Sequence, residues 1–401
     1  MASFTITEKG YGLTDGKGEL LPDVRADFAA GPVAPQSYMG KVAALCYERY
    51  LNGRLPLALV SMDNCSHNGT RLYEAVSAFA RAWVEKGLAE EEFEAYIRSG
   101  AVSFPWTMID KITPRPDESV KQMLTDAGFE DVEPVVTSKN TYVAPFVNAE
   151  EPEYLVIEDA FPNGRPPLEK AGVMFADRET VDRVEKMKVC TCLNPLHTAL
   201  AVFGCLLGYT RIYQEMEDPQ LKKLVEIVGY REGLPVVTDP GIIRPADFLK
   251  EVLEVRMPNP FMPDAPQRIA CDTSQKLAVR FGKTINAYQD RADLSTEDLQ
   301  MIPLVLAGWC RYLMGVDDEG REFRLSPDPM LAELRPVVQG IRLGDQGPFD
   351  KALKPLLSNR KIFGADLYAD GLAGRVARYF GELAAGPGAV RKTLKRHVGE
   401  P

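Results

Sequence analysis

The chain has 401 residues, of which 45% are hydrophobic and 26% are charged. It carries 47 lysine and arginine residues against 57 aspartate and glutamate residues, a formal net charge of −10. This length accommodates two or three domains, and the composition excludes disordered, fibrous and coiled-coil proteins. The acidic balance argues against nucleic-acid and membrane partners, which attract basic surfaces, but a local cluster of cations could still bind an anionic metabolite.

The first part of the chain predicts an α/β layer. Short apolar runs at 4–7, 57–61 and 153–157 predict strands, and the continuous run 57–61 is typical of a parallel strand buried on both faces. Helical spacing of apolar residues predicts helices over 37–52 and 70–86. This alternation favours βαβ units.

Beyond about residue 178 the pattern is helical. The predicted helices cover 179–209, 217–230, 245–256, 267–281, 295–315 and 372–396. The predicted fold class is therefore α/β plus all-α. An incomplete Rossmann-type parallel-sheet domain over 1–175 precedes a mostly helical substrate-binding domain over 176–401.

Two features bear on membranes and on nucleotides. The uncharged stretch 189–210 could span a bilayer by length, but Asn194, Pro195 and His197 would be costly in lipid, so we predict a buried helix. After the first strand, the glycines at 10–18 lack the G-x-G-x-x-G spacing and no helical pattern follows them. The α/β part is thus expected to lack the usual pyrophosphate loop.

The cysteines predict a cytoplasmic protein. They number seven, an odd count, and lie at positions 46, 65, 190, 192, 205, 271 and 310. Their scatter through apolar segments is typical of reduced, buried thiols. Cys190 and Cys192 form a C-x-C pair, but no second pair accompanies it, so no metal site is predicted. The N-terminus shows no signal-peptide pattern.

The first of four polar clusters, Ser61–Gly69, follows the buried strand directly, where open α/β sheets bind ligands. A purely structural alternative has Asp63 and Asn64 in an Asx turn and Asn68 as a helix cap. The second cluster, Phe104–Pro114, contains Asp110 and Lys111. Taken alone, it predicts a strand end with a surface ion pair.

The other two clusters lie in the helical part. Asn194 and His197 are three residues apart on one predicted helix face, downstream of two lysines, which favours function over a satisfied core histidine. Arg268 and Lys276 are eight residues apart, about 80° around a helix. They could hold a carboxylate or polyhydroxyl substrate, or could simply form a solvated face.

Together the four clusters resemble the polyol-specific long-chain dehydrogenases, the mannitol dehydrogenase family. The matching stretches run in the same order as in the family, from residue 4 to about 285. They are Thr5–Tyr11, Ser61–Gly69, Phe104–Pro114, Glu158–Phe161 with Gly164–Pro166, Lys188–His197 and Arg268–Lys276.

The resemblance implies metal-free hydride transfer with NAD, NADP not being excluded. It implies a lysine as general base, which burial and cationic neighbours would help to deprotonate, and two asparagines that stabilise the developing alkoxide. By motif these residues are Lys188, Asn64 and Asn194, and His197 would orient the substrate. Arg268 and Lys276 would then line the substrate site, with Asn64 and Asp110 on the cofactor side.

The lysine assignment depends on the helix register. In the family the lysine precedes the asparagine by five residues and the histidine by eight, whereas Lys188 precedes them by six and nine. On an ideal helix this places Lys188 about 180° from His197, and the rival Lys186 within about 20° of it. A π-bulge near Pro195 would absorb one residue and restore the register. We favour Lys188 because it occupies the Met-Lys context of the family.

The resemblance also implies that on the order of a hundred residues of Rossmann domain would precede Thr5 in a typical member. The chain could then be a fragment, the product of a mis-set start codon or a natural short form, and we expect poor solubility or self-association through an exposed sheet edge. The expected function is NAD-dependent interconversion of a keto-sugar acid and its aldonate, of the fructuronate/mannonate type. The alternatives are oxidation of mannitol to fructose and a non-catalytic form that retains only the sugar pocket.

Overall fold

The computed structural model of the protein describes residues 1–113, 116–138 and 140–399, with only the backbone for Tyr142. Pro114, the last residue of the second polar cluster, lies outside the described residues. The chain divides into two compact units. Unit 1 comprises Met1–Ile112 with Glu151–Glu185, and unit 2 comprises Thr113–Glu150 with Lys186–Pro401.

The strands are short. They are β1 (Ala2–Phe4), β2 (Leu57–Ser61), β3 (Val102–Ser103), β4 (Thr107–Asp110), β5 (Val135–Val136), β6 (Tyr142–Val143), β7 (Tyr154–Glu158) and β8 (Met174–Ala176). Strands β1, β2 and β3 form a parallel sheet in that order. In a second sheet, β7 pairs antiparallel with β4 and parallel with β8, and β5 pairs with β6 in unit 2.

The α-helices account for most of the regular structure. They are α1 (Pro22–Ala30), α2 (Tyr38–Leu51), α3 (Asn68–Glu85), α4 (Glu92–Arg98), α5 (Glu118–Asp126), α6 (Arg178–Met187), α7 (Asn194–Leu207), α8 (Ile212–Glu217), α9 (Pro219–Glu226), α10 (Pro245–Glu251), α11 (Pro266–Ile269), α12 (Lys283–Gln289), α13 (Met301–Tyr312), α14 (Leu331–Gln339), α15 (Asp350–Leu357), α16 (Arg360–Phe363), α17 (Ala373–Leu383) and α18 (Ala389–Val398). Within the described residues, π-helical segments occur at Lys188–Cys192, Ile227–Gly233, Val252–Arg256 and Ala278–Gly282.

The predicted elements of unit 1 are largely confirmed. Strand β2 matches 57–61, and α2 and α3 match the predicted helices within two residues at each end. The apolar face of α3 is fully buried, because Leu72, Phe79 and Trp83 are each 0% exposed. This face forms the core of unit 1 with α2 and α4, and β8 is a strand that the sequence did not predict.

The first strand ends earlier than the apolar run 4–7 predicts. Strand β1 stops at Phe4, which pairs with Ser61. The amide N–H groups of Ile6 and Thr7 instead donate to the carboxylate of Asp63, at 2.9 and 2.7 Å. The side chain of Asp63 thus replaces a neighbouring strand as acceptor and ends the strand.

Two of the predicted helices of unit 2 are interrupted, one by a distant carboxylate that accepts hydrogen bonds from its backbone N–H groups and the other by glycines in a non-helical conformation. The helix expected over 295–315 begins at Met301, because the buried carboxylate of Glu232 accepts the N–H groups of residues 300–302 at 2.6–2.7 Å. The helix expected over 372–396 divides into α17 and α18. Between them Gly386 and Gly388 adopt positive φ angles of 141° and 76°, which a helix does not allow.

The apolar helix predicted over the uncharged stretch 189–210 is buried, as expected. The segment Arg178–Leu207 has the length and composition to cross a membrane, but 78% of its most apolar window is buried inside the protein. It therefore has the character of a core helix.

Glu215 is a buried carboxyl group without a hydrogen-bond partner. It lies on α8, is 0% exposed, and neither oxygen has a partner among the described residues. Helix α7 approaches it so closely at Gly204 that an added Cβ would clash with the carboxyl group. Burial raises the pKa of Glu215 well above 4.5, and the nearby Asp218 and Asp264 add to the effect.

This raised pKa predicts a pH-dependent effect of Glu215→Gln. Because folding raises the pKa, the stabilising contribution is complete below the unfolded value near 4.5 and is lost as the pH rises through the folded value. Glutamine cannot ionise, so we expect the variant to be more stable than the wild type by about 1–3 kcal/mol at pH 8 and nearly equal at pH 4.5. Urea unfolding across this range measures the difference. Glu217→Gln, on the exposed side of the same helix, is the control, and an equal or lower stability of Glu215→Gln at pH 8 would contradict the argument.

Candidate active site

The predicted π-bulge lies between α6 and α7. The segment Lys188–Cys192 is π-helical, and the N–H of Leu193 donates to the carbonyl of Lys188, five residues earlier, at 3.0 Å. Helix α7 then begins at Asn194 with Pro195 in its first turn, where the missing N–H costs nothing. The structure thus confirms the register correction that the spacing predicts.

The π-helical segment changes the directions of both candidate lysines. It absorbs one residue, so Lys188 moves from about 180° to about 80° from His197, while Lys186 moves from about 20° to about 80° on the other side. The direction of each side chain around the helix axis therefore does not distinguish the two lysines, but their burial does. Lys188 is 4% exposed, whereas Lys186 is an exposed residue.

Asn194 and His197 lie together in the first turn of α7, and both are partly buried. The backbone carbonyl of Asn194 accepts a hydrogen bond from the hydroxyl of Thr198 at 3.0 Å. Burial lowers the pKa of His197 below 6.5, and nearby arginines lower it further, although Asp264 opposes them. A neutral imidazole at neutral pH can both donate to and accept from a hydroxyl group.

Arg268 and Lys276 do not lie on one continuous helix, so the prediction of a helix over 267–281 is wrong. Helix α11 ends at Ile269, and a 3₁₀ turn at Thr273–Gln275 separates it from the next helical segment. The carboxylate of Asp328 causes the interruption, since it accepts the N–H of Ser274 at 2.8 Å and its hydroxyl at 2.6 Å. Asp272 adopts a φ of 52° in this turn.

Both cations nevertheless stay beside the site, because α11 and the π-helical segment Ala278–Gly282 pack against α7. Arg268 is mostly exposed and is held by the carboxylate of Asp264 at 2.6 Å. Lys276 is half-buried, and its ammonium group donates to the carbonyls of Ile269 and Cys271. Burial lowers the pKa of Lys276, and the charge of Arg280 lowers it further.

Arg280 is a site residue that the sequence reasoning missed. Its guanidinium donates to the hydroxyl of Thr198, the residue after His197. Its one local sign is the spacing of four residues from Lys276, since like charges at that spacing repel each other on a helix; its contact with Thr198, 82 residues away, is not visible in the sequence.

The polar cluster after β2 belongs to unit 1. The side chain of Asp63 is buried and accepts from two backbone N–H groups and from the hydroxyl of Tyr11, at 2.5 Å. Asn64 is exposed directly beyond the carboxyl end of the strand. Asn68 is the first residue of α3 rather than its N-cap, and its side-chain oxygen accepts the N–H of Gly69 at 2.8 Å. The same side chain links the end of β2 to β4, because it donates to the carbonyl of Asp63 at 3.0 Å and to the hydroxyl of Thr107 at 2.7 Å and accepts the N–H of Thr107 at 3.0 Å.

Asp110 is the last residue of β4 and is 1% exposed. The surface ion pair predicted at this strand end is formed by its neighbour Lys111, whose ammonium lies 2.8 Å from the carboxylate of Glu153. Asp110 is therefore a buried group of unit 1 rather than a member of that pair.

The carboxyl end of the parallel sheet is the edge at which dinucleotides bind in folds of this kind. Ligands of such sheets bind just beyond the strand ends, where the amide of Asn64 is exposed and free of the internal bonds that occupy Asp63. Among residues 1–113, 116–138 and 140–399, no group of three or more His, Cys, Asp or Glu side chains could hold a metal ion. All seven cysteines are free thiols, four of them buried.

A parallel-sheet unit and a helical unit carrying a lysine, an amide and an imidazole on one helix are the features of a two-domain dehydrogenase. The sequence matches the profile of the mannitol dehydrogenase Rossmann domain over residues 1–170 and that of the mannitol dehydrogenase C-terminal domain over residues 180–384. The chain belongs to the mannitol dehydrogenase family.

Individual relatives agree with this assignment. A D-mannonate oxidoreductase of Thermotoga maritima is 57% identical over 401 residues, which are all of this chain and 74% of that protein. A mannitol 2-dehydrogenase of Neosartorya fischeri is 33% identical over 92% of this chain and 68% of its own length. Among solved structures, Pseudomonas fluorescens mannitol 2-dehydrogenase in a ternary complex with NAD and D-mannitol matches all of this chain and 74% of that chain, with a TM-score of 0.67 and 30% identity. A D-sorbitol dehydrogenase in substrate-free form matches 96% of this chain and 74% of that chain, with a TM-score of 0.76 and 26% identity.

Proposed function

We propose that the chain is an NAD-dependent oxidoreductase that interconverts mannonate and fructuronate, an aldonate and its keto-sugar acid. The observation that carries this proposal is the 57% identity to a D-mannonate oxidoreductase along the entire chain. The mannitol 2-dehydrogenase of Neosartorya fischeri is 33% identical over 92% of the chain. The cations around His197 also suit an anionic substrate.

In the proposed reaction NAD, when bound, supplies the hydride acceptor. Lys188 takes the proton from the substrate hydroxyl as the C–H bond breaks and the carbonyl forms. Asn194 and Asn64 donate amide hydrogens to the oxygen on which negative charge develops, and such preformed donors need no reorganisation. His197 orients the substrate through its hydroxyl groups.

The remaining assignments follow from the same sites. Arg268 and Lys276 line the sugar site, and Asp110 joins Asn64 on the cofactor side. The exposed amide of Asn64 at the carboxyl end of β2 supports this placement.

The free thiols support a cytoplasmic location. Self-association through β1, an edge strand of its sheet, is proposed as well, and sedimentation of the purified chain measures it.

The substrate assignment predicts a preference for the sugar acid. We expect kcat/KM with NAD to be at least about 10²-fold higher for mannonate than for mannitol, because a neutral polyol cannot compensate buried positive charge. Initial rates of NADH formation with each substrate measure the ratio. A ratio at or below one would instead identify a mannitol 2-dehydrogenase, the activity named for the relatives that are 33% identical.

A further inference from the structure

Three cations follow one another along the segment that packs against α7, and two of them are held within the chain by a carboxylate or by two backbone carbonyls. Arg268 is paired with Asp264, with 2.6 Å between Nε and Oδ1. Lys276 directs its ammonium group at the carbonyls of Ile269 and Cys271, so it holds the turn between them. These contacts occupy both groups without any ligand.

Arg280 is the exception. Its guanidinium has five N–H donors, but within the described ranges its one hydrogen bond is to Thr198 and no ion pair includes it. Burial lowers the pKa of Arg280 to about 10, and no carboxylate in the described part of the chain opposes this shift. A partly buried charge without a counter-charge is costly unless a ligand provides one.

The position of Arg280 relates it to the reacting groups. Thr198 directly follows His197, accepts the hydrogen bond from Arg280, and donates its own hydroxyl hydrogen to the carbonyl of Asn194 at 3.0 Å. The guanidinium is thereby held at the first turn of α7, which also carries Asn194 and His197. Its charge reaches His197, whose pKa it lowers.

We propose that Arg280 binds the carboxylate of the sugar acid and so makes this site select aldonates and keto-sugar acids over neutral polyols. The inference rests on the proposed function and deepens it by naming the residue that binds the charged end of the substrate. A planar guanidinium matches a carboxylate with two parallel hydrogen bonds, which hydroxyl groups cannot replace. Thr198 fixes one edge of the guanidinium and leaves its other donors for the ligand.

The test compares Arg280→Gln, Arg280→Lys and the wild type with mannonate and with mannitol. We expect Arg280→Gln to lower kcat/KM for mannonate by about 10²–10³-fold, mainly through KM. For mannitol, either kcat/KM as a substrate or the inhibition constant as a competitive inhibitor should change by less than about threefold. Arg280→Lys should recover part of the lost kcat/KM, because lysine keeps the positive charge but not the planar guanidinium that makes two parallel hydrogen bonds. Arg244→Gln, which removes an 83% exposed arginine of the same unit, is the matched control.

Two further measurements separate a binding role from a structural one. Without sugar acid, the Tm of Arg280→Gln should equal or exceed that of the wild type, because the variant loses an uncompensated charge; a structural role would lower it. Calorimetry with mannonate should show binding to the wild type and a loss in Arg280→Gln of about 10²-fold or more. If the wild type binds mannonate but does not oxidise it, the proposed function fails while the assignment of Arg280 stands. Equal mannonate affinity in Arg280→Gln and the wild type would overturn the assignment.

Discussion

Lys188→Ala is expected to lower kcat for mannonate oxidation by about 10²–10⁴-fold, the usual contribution of a general base. The lysine is 4% exposed and lies at the start of the π-helical segment that brings it towards His197. Its removal should leave NADH binding unchanged, because the cofactor is expected on unit 1. Steady-state rates and an NADH titration of the same preparation measure both effects.

Lys186→Ala is the matched control for this prediction. Lys186 is two residues earlier on the same helix and is exposed, so its removal should change kcat by less than about threefold. If Lys186→Ala lost turnover while Lys188→Ala kept it, the assignment of the base would be reversed. Comparable losses in both variants would show that neither is the specific base.

Asn194→Ala is expected to lower kcat by about 10²–10³-fold, the usual effect of removing one donor to a developing oxyanion. The backbone of Asn194 should stay in place, because its carbonyl is bonded to Thr198 and helix α7 continues beyond it. KM for mannonate should change by less than about threefold, since the amide acts mainly in the transition state.

Asn52→Ala, an exposed asparagine at the end of α2, provides the control for general effects of losing an amide. A rise in KM with kcat unchanged in Asn194→Ala would instead identify Asn194 as a ground-state binding residue. That result would remove it from the set of groups that stabilise the alkoxide.

The local register of the active-site helix was predictable from sequence because its cause is local. The spacing of Lys188, Asn194 and His197 exceeds the family spacing by one residue, and Pro195 marks the place where a helix can absorb it. The structure has the π-helical segment there. The spacing of three residues within a ten-residue segment, compared with the spacing in the family, was therefore enough to predict the extra residue in the helix.

The interruption after α11 was not predictable in this way, because its cause is distant in sequence. Ser274 is held by Asp328, 54 residues further on, and the N–H of Asp272 donates to the carbonyl of Pro327 at 2.8 Å. Helical spacing of Arg268 and Lys276 contains no sign of these bonds. Tertiary hydrogen bonds override local helix propensity in such segments.

Arg280 shows the same limit for the site itself. Sequence identified Arg268 and Lys276 because the family motif includes them, yet both have partners within the chain. The missing counter-charge of Arg280 is a property of three-dimensional packing. Only the contacts in the folded segment distinguish the three cations, since Arg268 is held by a carboxylate, Lys276 by two backbone carbonyls and Arg280 by one hydroxyl group.

Oxidation of a sugar acid by this chain with NAD can be measured in a single-turnover experiment. The purified chain, in excess over NAD, is mixed with saturating mannonate, and NADH formation is followed by its absorbance while fructuronate is quantified. We predict that NADH and fructuronate form in equal amounts and that Lys188→Ala suppresses both. If no NADH forms although calorimetry detects mannonate binding to the same preparation, the chain is a sugar-acid-binding protein and not a dehydrogenase.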